Sequence, residues 1–236
     1  MSRPAQNLLL VALGAAALWI TLATGEYLSY VRPGFRIPLA AAGAVLVVLG
    51  GAGMLRDRRA ASAHGHHHHG PGVAWLLAAP VVAVAVVAPP ALGSFSATRT
   101  ASRPAPPPPP PDEGYPALPV TAEPDDMSLG EYIGRAFQAQ DGRPEVLGDA
   151  TVRLTGFATP RKGGGWFLTR MVIACCAGDA VPFRVVVHGA PSPGADRWVR
   201  VTGTWHRPPA GLRRTTEPAL DARRVIRIPR PARPYE

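Results

Sequence analysis

Thr151-Val152-Arg153-Leu154-Thr155-Gly156-Phe157 alternates polar and apolar residues, the period of a strand with one face in a core. The same period recurs downstream. Residues 166–174 read as a second strand after the Lys162-Gly163-Gly164-Gly165 turn, 183–188 as a third and 198–205 as a fourth. A fifth covers 222–228, before Pro229 and Pro231 stop it. Five strands in about eighty residues, divided by Gly/Pro turns, predict a small antiparallel barrel. An OB-like barrel fits the count, and Trp198-Val199-Arg200-Val201-Thr202-Gly203 resembles the glycine-ended strand of such barrels. An SH3-like barrel or a small sandwich also fits.

Immediately upstream, Ser128-Leu129-Gly130-Glu131 has the spacing of a capping box. Leu129, Ile133, Ala136 and Phe137 then share one face, which predicts a short amphipathic helix to about Gln140. The soluble all-β domain with its one short helix therefore spans 125–236. Residues 94–124 are a Pro-rich linker, in which Pro106 to Pro111 should form a stiff polyproline II rod acting as a spacer.

Residues 1–93 are of another character. Three apolar stretches, 8–23, 38–55 and 73–92, contain no Asp, Glu, Lys or Arg. A bilayer core takes roughly 20 apolar residues as a helix. These predict a three-span α-helical membrane anchor, with Pro80 kinking the third span and a His-rich loop at 64–69. Ala23-Thr24-Gly25 looks like a cleavage site, but the apolar region exceeds the roughly 7–15 residues of a signal peptide and two more spans follow. Putting the N-terminus and the second loop in the cytoplasm places Arg3, Arg56, Arg58, Arg59 and the free amine inside, against Arg32, Arg36, Arg99 and Arg103 outside. That arrangement predicts a multi-pass protein of the cell membrane with an extracytoplasmic C-terminal domain.

Net charge is +9, yet no basic run is interleaved with aromatics; the clusters are short pairs such as Arg213–Arg214 and Arg223–Arg224. Nucleic acid is therefore not the expected partner. Trp166, Phe167, Phe183, Trp198 and Trp205 are the only rings available for stacking, and they read as core. The chain lacks a Gly-x-Ser-x-Gly elbow, a phosphate-cradling glycine loop and a His-Glu-x-x-His pair, so no enzyme is expected.

The least generic segment runs from Arg170 to Pro182 and holds both cysteines, Cys175 and Cys176, followed by Asp179. Thiolates suit Zn²⁺ or Cu⁺. Adjacent side chains on an extended strand point to opposite faces, so both thiols reach one ion only if the strand ends there. Three readings stay open for the pair: a metal or redox site, a vicinal disulfide, or one core thiol beside one free thiol. His188 or His206 would be a weaker fourth ligand. His64, His66, His67, His68 and His69 have the composition of a metal-binding tract without fixed geometry. No cofactor is implied beyond a transition metal such as Zn or Cu.

Taken in order, Thr24-Gly25-Glu26-Tyr27-Leu28-Ser29-Tyr30-Val31-Arg32-Pro33 between two spans, the His-rich loop, a third span, and the segment Arg170…Ile173-Ala174-Cys175-Cys176-Ala177-Gly178-Asp179-Ala180-Val181-Pro182 resemble the YcgQ-like permease-subunit family of bacterial membrane proteins, of the DUF1980 type. Gly178 stands where the family pattern has Ala, and the His loop is short. The resemblance implies a multispanning DUF318-type permease as partner, beside the lipid bilayer, and a link to transport. The expected function is an accessory, non-catalytic permease subunit whose barrel docks on the permease or binds its cargo. The alternative is an envelope metal-handling or thiol redox protein acting through Cys175 and Cys176.

Overall fold

The computed structural model describes residues 3–61, 91–100, 109–209 and 217–236. The chain divides into two compact units, Met1–Ala91 and Leu92–Glu236.

In the first unit, helix α1 (Arg3–Leu18) runs on through a π-helical turn, Trp19–Thr24, and ends at Gly25. Gly25 has φ 70°, the left-handed conformation that closes a helix and that glycine adopts without a Cβ clash. Helix α2 (Arg36–Ala61) packs back along α1. Small residues set the approach: a Cβ on Gly14 would come within 3 Å of the Gly43 carbonyl, and one on Gly50 would meet the Asn7 carbonyl. Asn7 Nδ2 donates to Asp57 at 2.9 Å. Pro4–Thr24 and Pro33–Arg59 are long and apolar enough to cross a membrane. These correspond to the first two expected spans; the third span, Pro80 and the His-rich loop lie outside the described residues.

The second unit is built on a six-stranded sheet. Strands β2 (Thr151–Pro160), β3 (Trp166–Val172), β4 (Val181–His188), β5 (Trp198–His206) and β6 (Ala219–Arg227) are the five expected from the period of two, with ends moved by up to three residues. The two-residue β1 (Asp125–Asp126), parallel to β2, was not foreseen; two acids carry no strand signal. Pairing runs β1-β2-β3-β4-β6-β5, and β5 pairs again with β2. The β4–β6 pair is parallel, and the other contacts among β2 to β6 are antiparallel. β5 does not end at Gly203. β6 bulges opposite that point, with Arg223 as the extra residue, while β5 continues to His206, and Gly203 lies so close to the Asp221 carbonyl that no Cβ fits.

Helix α4 (Leu129–Gln140) covers one end of the main core, which includes Leu129, Tyr132, Leu154, Trp166, Leu168, Val185, Val201 and Leu220. Ser128 Oγ accepts from the Glu131 amide as the capping box predicts, at 3.0 Å. The Glu131 carboxylate turns instead to the buried Arg135, 2.9 Å away, and the Glu236 carboxylate accepts from the Leu129 and Gly130 amides.

Parts of the expected linker are packed against this unit. Helix α3 (Ser94–Arg99) is capped by Asp196, which accepts from the Ser94 amide and hydroxyl. Its Ala97 sits in a second, smaller core with Phe157, Met171, Ile173 and Ala180. Tyr115 stacks under the Arg135 guanidinium, and Pro116 accepts from it. Among the five candidate rings, Trp166, Phe167, Phe183 and Trp205 are buried as expected. Trp198 is only half-buried, set edge-on to Phe157 at 5.5 Å with Arg170 over its face.

Candidate functional site: the vicinal cysteine loop

β3 ends at Val172, so Cys175 and Cys176 leave the alternation of a strand and enter a bend. A single 3₁₀ turn, Ala177–Asp179, follows with Cys176 as its N-cap. The Asp179 carboxylate folds back over the bend and collects three consecutive amides, those of Ala174 at 2.9 Å, Cys175 at 2.8 Å and Cys176 at 3.3 Å. Successive amides aimed at one anion form a nest, with their partial positive charge concentrated on it. Ile173 and Ala180, both buried, pin the two ends of the loop in the smaller core. The sequence therefore makes a rigid platform from a small-residue turn fixed by one carboxylate.

On that platform both Sγ atoms and a carboxylate oxygen of Asp179 lie within 4.8 Å of one another. Both thiols are free; Cys175 is exposed and Cys176 half-buried. Hydrogen bonding of the Cys175 thiol to Asp179, then to Cys176, pushes its pKa up to about 11. The same Cys175 thiol, followed by the loop amides, draws Asp179 down to about 2. At neutral pH the loop thus holds a carboxylate beside a protonated thiol. A thiol raised in this way is a weak nucleophile, whereas a soft cation displaces its proton on binding.

Residues 143–236, which contain this loop and β2 to β6, match the family model described as DUF1980 C-terminal domain. This part of the chain is similar to the DUF1980 C-terminal domain, which supports a DUF1980-type family. Neither the curated proteins nor the solved structures contain a match.

The candidate residues separate. Cys175, Cys176 and Asp179 come together, while His64, His66, His67, His68 and His69 lie outside the described residues. His188 and His206 cannot supply a fourth ligand. They stand at the far end of β4, roughly 20 Å along the strand from its start beside the cysteine loop. There the two rings stack, centroids 4.4 Å apart, and His206 Nδ1 lies 2.9 and 3.0 Å from the Asp221 oxygens. A carboxylate only accepts, so Nδ1 is the protonated nitrogen. Sequence spacing gave no signal of this cluster, because Asp221 meets His188 only through the parallel β4–β6 pairing. Gly178, the departure from the family pattern, has ordinary contact room: a Cβ would meet nothing nearer than Cys176 Sγ at 3.6 Å.

Proposed function

We propose that the chain is an accessory, non-catalytic subunit of a multispanning membrane permease of the DUF318 type, and that its cysteine loop holds the cargo, a thiophilic transition-metal ion such as Cu⁺ or Zn²⁺. The observation that carries this reading is the meeting of two thiols and one carboxylate on a fixed, exposed loop. Tetrahedral Zn²⁺ takes four donors, and here Asp179 already spends most of its lone pairs on loop amides. Two thiolates and little else leave open coordination positions. An ion so held is easily passed to a partner that supplies the rest, which suits hand-off better than storage. The alternative, a thiol redox protein, is favoured by the adjacency of the cysteines but opposed by the raised Cys175 pKa.

The ring of pairings, with its one parallel contact, supports an OB-like five-stranded barrel as the platform. Three spans and an extracytoplasmic barrel complete the proposed topology, resting on the odd number of expected spans and the positive charges that flank them. The full chain, purified in mild detergent and reduced, should bind Cu⁺ or Zn²⁺ at one site. Cys175→Ser and Cys176→Ser should each abolish tight binding, and the double variant should be no worse than either. Equal binding by the double variant and the native chain would remove the metal reading. Co-purification with a permease, unaffected by those variants, would separate docking from cargo binding.

A further inference from the structure

Charge is segregated in the unit Leu92–Glu236. Nine of its fourteen carboxylates fall within residues 109–150, while residues 197–233 hold ten arginines and two carboxylates, Glu217 and Asp221. Both are engaged: Glu217 with Arg161 and Arg184, and Asp221 with His206. Register places Arg200 opposite Ile226 and Thr202 opposite Arg224, so these four share the outward face of β5 and β6. Beside them a cleft of about 380 Å³, between residues 189–193 and β6, is lined by Arg223, Arg224 and Arg227. Every carboxylate of the chain lies among the described residues, and none forms an ion pair with Arg200, Arg223, Arg224 or Arg227. Ile226, 39% exposed, shares its face with Arg200 and Arg224.

Arg223 donates to the Thr151 hydroxyl and Arg227 to the Pro193 carbonyl, both neutral, and guanidinium groups gathered without a carboxylate partner repel one another and attract a polyanion. We propose that this face docks on the anionic phospholipid headgroups of the membrane that holds the apolar helices. Guanidinium forks match phosphate oxygens two at a time. An exposed isoleucine flanked by Arg200 and Arg224 suits the boundary between headgroups and acyl chains. A covalent tether to the bilayer gives that surface a high effective concentration, so modest affinity suffices. A nucleic-acid strand would want exposed rings to stack on; Trp166, Phe167, Phe183 and Trp205 are buried, and the half-buried Trp198 has Arg170 over its face. The inference rests on the membrane reading of the N-terminal helices, but not on the cysteine loop.

The test uses the full chain in nanodiscs of phosphatidylcholine alone or with phosphatidylglycerol. A nitroxide is placed at Thr202→Cys in a Cys175→Ser/Cys176→Ser background. Collision with an aqueous nickel chelate should fall about threefold when phosphatidylglycerol is present, because each arginine adds attraction near an anionic surface. Salt of about 1 M, where the Debye length is ~3 Å, should restore it. Arg200→Gln/Arg224→Gln should abolish the difference with an unchanged far-UV circular dichroism spectrum, and Arg200→Lys/Arg224→Lys should keep it. Equal accessibility in the two bilayers, or an effect that survives the Gln pair, would overturn the inference. So would a fall produced by short single-stranded DNA in plain discs and not by phosphatidylglycerol. Failure to enter any disc would overturn the membrane reading and this inference with it.

Discussion

Asp179 organises the cysteine loop through one carboxylate shared among three amides and a thiol, so its charge matters more than its shape. Asp179→Asn should keep the volume yet speed amide exchange at residues 174–176 and weaken metal binding, read by exchange mass spectrometry and by titration. Gly178→Ala should change neither. The residue types at this loop were legible from the sequence, but their division of labour was not. Asp179 reads as a ligand or a turn cap, and only the converging amides show that capping dominates. Trp198 is the opposite case. It has the look of a core residue, and the structure leaves it half-buried on the smaller core while Trp166 is 1% exposed and donates to the Ala190 carbonyl. Trp166→Ala should therefore cost about 3–5 kcal/mol. Trp198→Ala should cost only about 1–2 kcal/mol, in step with its partial burial. Chemical denaturation of both variants in one detergent measures the difference.

Strands β2 to β6 were readable because each buries alternate side chains, and helix α4 because Ser128 and its apolar stripe bracket it. What escaped was whatever depends on distant chain. Glu236 tends the first amides of α4, and Asp196 caps α3; neither contact leaves a mark on local sequence. Gly156 and Gly203 mark where strands approach too closely for a side chain: a Cβ on Gly156 would lie 2.6 Å from the Thr169 carbonyl. Gly156→Ala should force β2 and β3 apart at a cost of about 1–3 kcal/mol, visible as a lowered denaturation midpoint with an unchanged slope.

Across the whole molecule, the split between an apolar N-terminal half and a β-rich C-terminal half was plain in composition, whereas the assignment of 94–124 as spacer missed α3 and Tyr115. The end of β4 gives the domain a pH response. Burial first, then the charges of His206 and Arg161, lower the His188 pKa, with Asp221 opposing. A histidine lowered in the folded state contributes its full stability above the ordinary imidazole value of about 6.5 and loses it progressively as the pH falls towards the folded value. Melting temperature should therefore decline on acidification below that point, and His188→Gln should flatten the decline. The pairing of β2 with β5 carries a kinetic consequence. It joins strands roughly fifty residues apart, and loop closure over such a span must precede its reward, which slows the search. The β3–β4 hairpin is local and free to form first. Its thiols would then be presented while Val199 and Val201 are still seeking their partners on β2. A cation captured at that stage would act on the folding ensemble as well as on the finished protein.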